Sequence, residues 1–103
     1  MPRVRPLTEA ARKAEAEITQ RRRVISIITA AMTVSGFDRL ALAKFAGIYY
    51  QVLNRRMRGD SDFRLSELVS LANALRLDTV CRAALLGAKE KCRYETGYRA
   101  AGA

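Results

Sequence analysis

The sequence predicts an all-α fold, a compact bundle of about five helices with an N-terminally extended first helix. Three observations carry that expectation. Apolar side chains recur at three- and four-residue spacing through most of the chain. No stretch alternates convincingly with period two, and the glycines at 36, 47 and 59 punctuate the helical runs. At 103 residues, half of them hydrophobic, the chain suits one small core with extensions, not two full domains.

The elements follow in order. Met1 to Leu7 holds both prolines together with Arg3 and Arg5 and reads as an extended basic arm. Thr8 is a suitable N-cap for a long helix from Glu9 to about Thr33, a stretch free of Gly and Pro. Along it Ala11, Ala14, Ile18, Arg21, Ile25, Ile28 and Met32 form a heptad-like stripe. The stripe fits either an amphipathic helix packed on its own domain or a coiled-coil seam, for which Ala14, Ile18, Ile25 and Ile28 are the candidates.

Ser35-Gly36 breaks this helix, and Asp38 caps the next, Arg39 to Ala46. Gly47 supplies the left-handed residue that a tight turn between helices needs, and Ile48 returns to the core. A short helix then fits Tyr50 to Arg58 and stops at Gly59. The polar turn Arg58 to Asp62 is expected to be anchored by Phe63 and Leu65. Another helix opens at Leu65 or Ser66 and keeps its period through Leu68, Val69, Ala72 and Leu75 up to Leu77. Asp78 or Thr79 caps a last helix, Val80 to roughly Lys91, interrupted at Gly87, and the tail from Tyr94 is expected to fray. Leu42, Ala46, Ile48, Leu53, Leu68, Ala72 and Leu75 should be largely buried in one core. By domain the chain divides into an arm and helix extension over 1–19, a helical domain over 20–88 and a tail over 89–103.

Composition narrows the function. Nineteen Lys and Arg against ten Asp and Glu give a formal net charge of +9, which favours polyanionic partners. The excess is spread out: residues 1–23 hold seven basic and three acidic side chains, and residues 38–65 hold six and three. Histidine is absent, so Cys81 and Cys92 form neither a Cys/His zinc site nor a thiol/imidazole catalytic pair. Two cysteines without a secretory signal read as reduced thiols, and a cytoplasmic setting is expected. The apolar run Val24 to Val34 is far short of the roughly 20 residues needed to span a bilayer. There is no G-x-x-x-x-G-K phosphate loop, and Asp60, Asp62 and Glu67 are explained by solvation and capping. An enzyme is not expected, nor a cofactor, a metal, a small-molecule ligand or a membrane partner.

From Arg39 to Gly59 the residues become more specific. Arg39 opens a helix, Leu42-Ala43 follow three on, Ala46-Gly47-Ile48 three further, and Gly59 closes the next helix. This pattern resembles the lambda-repressor/Cro-like, or XRE-type, helix-turn-helix proteins. The stretch Leu53 to Gly59, followed by Ser61, Phe63, Leu65 to Leu68 and Leu71-Ala72, looks most like small phage- and prophage-encoded members, and the likeness spans about Val24 to Leu86. Two departures stand out. Tyr49 occupies the place where the family usually puts a capping Ser or Thr, and Arg56 sits where many members bury an aliphatic side chain, a space that Met57 can fill.

The resemblance implies a sequence-specific, double-stranded DNA-binding regulator that occupies an operator, in the manner of a phage or prophage repressor or Cro-like protein. The positions that meet base edges in the family fall on Tyr50, Gln51 and Arg55. Gln pairs bidentately with adenine, Arg with guanine, and Tyr touches a thymine methyl. Arg39, Tyr49, Asn54 and Arg58 fall on backbone-contact positions; Arg39 and Arg58 have the alternative of pairing with Asp38 and Asp60. Arg3 and Arg5 are candidates for a minor-groove arm. A homodimer is implied, because one short recognition helix reads only a few base pairs. The competing expectation is a protein-interaction module, an antitoxin or polymerase-binding factor, that grips its partner with the long first helix.

Overall fold

The structure, a computed structural model, describes residues 8–99. Five helices succeed one another: α1 Glu9–Ser35, α2 Arg39–Ala46, α3 Tyr50–Met57, α4 Leu65–Ala74 and α5 Thr79–Leu85. No strand occurs among the described residues. α2 packs against α3 and α4, α1 against α5, and α4 against α5.

Capping residues set the starts. The side chains of Thr8, Asp38 and Asp78 accept from the backbone N–H groups of Ala11, Ala41 and Cys81, at 3.1, 2.7 and 2.8 Å. Each satisfies one of the orphan donors of a first helical turn. The ends share a second device. After every helix one residue takes positive φ and the next amide reaches back over the last turn. At α2 this residue is Gly47, φ 69°, after which Ile48 N–H donates to Ala43 O at 3.0 Å. At α4 it is Arg76, φ 53°, the only non-glycine with positive φ among the described residues.

That device shortens two helices relative to the sequence expectation. α4 stops at Ala74 instead of running to Leu77, because Arg76 reverses the chain and Leu77 N–H bonds Ala72 O at 2.9 Å, which returns Leu77 to the core. α5 stops at Leu85 instead of near Lys91. Gly87 adopts φ 99°, and Gln20 of α1 donates through its amide to the last carbonyls, Ala84 O at 2.9 Å and Leu85 O at 3.1 Å.

The core is built around Ile27, Ile28, Leu42, Leu53, Leu71 and Cys81, all with no exposed surface, with Met32, Met57, Leu75, Leu77 and Leu85 among their buried neighbours. Ala72 and Leu75 are buried as expected, whereas Ala46, Ile48 and Leu68 are half-buried at the margin of the cluster. Leu65 is not the anchor that the sequence suggested. It is 63% exposed, since it occupies the first position of α4 and points away from the core, and Phe63 packs there alone.

The stripe on α1 divides in two. Ile28 is fully buried and Ile25 packs against Gly59, while Arg21 forms an ion pair with Asp62 at 2.5 Å. Ile28 is therefore a core residue and not part of a dimer seam: a period of 3.5 drifts around a straight helix of 3.6 residues per turn, so the stripe rotates onto the domain as it descends. Only Ala14 and Ile18 remain on the surface, Ile18 at 43%.

The segment after α5 is held where fraying was expected. Cys92 has no exposed surface, Tyr94 packs on the core, and Glu95 accepts from Arg23 of α1 at 2.8 and 2.9 Å. The same guanidinium donates to Ala88 O, and to Glu90 O at 3.0 Å. Glu95 in turn accepts from Cys92 N–H at 3.1 Å. Its carboxyl is held below the usual range by the Arg23 hydrogen bonds, against the opposing effect of burial.

Candidate nucleic-acid interface

α3 is held by its inner face. Leu53 is fully buried and Met57 nearly so, with Ile48 at the margin. Met57, not Arg56, faces the core beside Leu53. Arg56 turns instead to the flank facing α4. There its Nε donates to Glu67 Oε1 at 2.9 Å, its Nη2 to Oε2 at 3.3 Å and its Nη1 to Ser61 Oγ at 2.5 Å. Glu67 also accepts from Arg64 N–H at 2.8 Å, closing the first turn of α4. Burial would raise the Glu67 carboxyl; the hydrogen bonds from Arg56 and Arg64 outweigh it and hold the group below its ordinary value.

The outer face of α3 and its C-cap presents Gln51, Arg55 and Arg58, all exposed, with Tyr49 at 81% just before its first turn and Tyr50 at 42% within it. Tyr49 has extended backbone at the N-cap position and makes no side-chain cap, which leaves the first amides of α3 without a local acceptor. Of the backbone-contact candidates, Arg39 and Asn54 are joined to each other, Nη1 to Oδ1 at 3.2 Å, so the start of α2 is tied to the flank of α3. Arg58 reaches Asp60 at 3.3 Å, both well exposed, an open pair that solvent screens. Arg55 enters no ion pair or side-chain hydrogen bond among the described residues. The structure thus brings Tyr49, Tyr50, Gln51, Asn54, Arg55 and Arg58 together on α3 and its two ends, with Arg39 beside them. Ala14 and Ile18 lie instead on the exposed N-terminal half of α1. Arg3 and Arg5 lie outside the described residues.

Two features of the exposed surface escape the sequence. Phe45, at 72% exposure on α2, rests edge-on against Phe37 with ring centroids 5.1 Å apart. A polar cleft of about 380 Å³ opens between α3 and α4, lined by Tyr49, Arg55, Arg56, Arg64, Ser66 and Ser70 among others. A neighbouring concavity, sharing Gly47, Ile48 and Tyr49 with it, continues to Lys44. The cleft is not visible from spacing alone, because its walls come from separate helices.

The thiols of Cys81 and Cys92 are both reduced and buried. Burial pushes the Cys81 thiol far up, and its hydrogen bond with Cys92 adds to the shift. No group of three or more His, Cys, Asp or Glu side chains suited to a metal ion occurs among the described residues. No single helix among them is long and apolar enough to cross a membrane. No family model, curated protein or solved structure matches this chain.

Proposed function

We propose that the protein is a cytoplasmic, sequence-specific double-stranded DNA-binding regulator of the lambda-repressor/Cro-like type, acting by occupying an operator with α3 in the major groove. One observation carries this reading. An eight-residue helix, tied down by Leu53 and Met57, turns Gln51, Arg55 and Arg58 outward at the edge of a chain with a net charge of +9. Gln51 and Arg55 stand four residues apart, one helical turn, so both can meet base edges along the groove. Arg58 and Arg39 flank them as phosphate contacts, and Arg39 is already oriented by Asn54. A second copy on an adjacent half-site would extend the few base pairs one such helix reads.

Selection of bound fragments from random duplex DNA, followed by titration of the winning site, tests the reading. A defined site should emerge, with affinity that falls steeply with salt as counterions are released. Arg39→Ala and Arg58→Ala should weaken all sequences alike. Gln51→Ala and Arg55→Ala should relax preference at single base pairs by about 1 to 3 kcal/mol each. Equal losses on selected and random duplex for all four variants would sink the assignment.

A further inference from the structure

We infer that the cleft between α3 and α4 is a binding site for a phosphoryl oxyanion, held by Arg64 just before α4 and by Ser66 and Ser70 within it, with the Tyr49 hydroxyl on the facing wall. The cleft holds three guanidinium groups, Arg55, Arg56 and Arg64, and one carboxylate, Glu67. That carboxylate is spent on Arg56, in a pair whose side chains are each only 13% exposed. Arg55 and Arg64 enter no ion pair among the described residues, so the cleft keeps an excess of two positive charges on a concave surface. Concavity focuses that potential, and an oxyanion is the ligand that relieves it.

The donors match the charge. Ser66 and Ser70 are one helical turn apart and line the same wall, and Tyr49 adds a third hydroxyl from the turn before α3. Hydroxyls and a guanidinium around a negatively charged group satisfy several acceptor lone pairs of a phosphate at once. The basic concavity continues past Tyr49 to Lys44, which suits an anion with neighbours on either side. The phosphoryl group has two sources, a free phosphate and a diester of a nucleic-acid strand. The second source rests on the DNA-binding reading. A helix lying in a major groove has a phosphate strand on each side; Arg39 and Asn54 face one flank of α3, and this cleft opens on the other.

Inorganic phosphate added to the uniformly ¹⁵N-labelled chain at constant ionic strength, with chloride as the reference anion, separates the possibilities. Phosphate should move the amide resonances of Arg64, Ser66 and Ser70 saturably, and Arg64→Ala and Ser70→Ala should each weaken that binding, the former by roughly tenfold as a charge-assisted contact is lost. Random duplex should move the same resonances, and Arg64→Ala should lower the salt dependence of duplex binding by about one ion. Saturable phosphate binding in a protein that binds no duplex would uphold the site and refute the DNA reading. Normal duplex binding with these resonances unmoved by phosphate or duplex would refute the site and leave the DNA reading standing. Shifts that Arg64→Gln and Ser70→Ala, both folded by circular dichroism, fail to weaken would also overturn it.

Discussion

Arg56 on α3 and Glu67 on α4 are joined by a two-pronged ion pair, Nε to Oε1 at 2.9 Å and Nη2 to Oε2 at 3.3 Å, and the same carboxylate closes the first turn of α4 through Arg64 N–H. One carboxylate thus fixes the angle between two helices and the start of one of them. Glu67→Ala should lower stability by about 1 to 3 kcal/mol, since it strands a mostly buried guanidinium and removes a backbone acceptor. Urea unfolding of the variant measures this; an unchanged midpoint would show that Arg56 is equally content in solvent.

The same group predicts an acid response. Glu67, Glu95 and Asp78 all have carboxyls lowered in the folded chain, Glu67 against its burial and the other two chiefly by hydrogen bonds, from Arg23 to Glu95 and from Cys81 N–H to Asp78. A carboxyl with a lowered folded value contributes stability that is fully present above its unfolded value of about 4 and is lost as pH falls through the folded one. The urea midpoint should therefore be flat from pH 7 to about 5 and fall steeply below about 4. Glu67→Gln should make that fall shallower.

Leu53→Ala should cost about 2 to 5 kcal/mol, the range for a fully buried aliphatic truncation. Ile28→Asp should prevent folding, since it places a carboxylate at a site with no exposed surface, whereas Ile18→Asp on the exposed half of α1 should change stability by no more than about 0.5 kcal/mol. Circular dichroism melts of the three variants check both halves; an unstable Ile18→Asp would mean that the first half of α1 is covered.

Local rules were enough for the helix starts, and non-local ones were needed for much else. Thr8, Asp38 and Asp78 declare themselves as caps because the bond each makes lies three residues away. The α2–α3 pair is legible for the same reason, with Gly47 between two apolar runs. Arg23 with Glu95, by contrast, joins positions 72 apart, and nothing in the periodicity around Glu95 announces a partner on α1. Leu65 misled because an apolar residue at the first position of a helix satisfies the periodic pattern while pointing outward. Within the candidate site the outward face of α3 was readable from the buried face it opposes. The cleft beside it was not, since its walls come from two helices.

Arg76 offers a simple gain. A side chain at φ 53° costs about 1 to 2 kcal/mol relative to glycine, part of which glycine gives back through the entropy of the unfolded chain. Arg76→Gly should raise stability by about 0.5 to 1 kcal/mol, read as a higher thermal midpoint. A lower midpoint would show that the exposed Arg76 side chain contributes more than its backbone strain removes.

The clasp between Arg23 and Glu95 sets an order of events during synthesis. Until residues 92 to 95 have left the ribosome, α1 displays a guanidinium with no acid to meet it, and the pocket that Cys92 fills is open to solvent. The helices before it can pair, since α2 packs on both α3 and α4 without the tail. Emergence of residues 92 to 95, not of α3, is thus the step at which the newborn domain reaches full resistance to proteolysis, and a chain stalled just after α5 is the form a protease would find first.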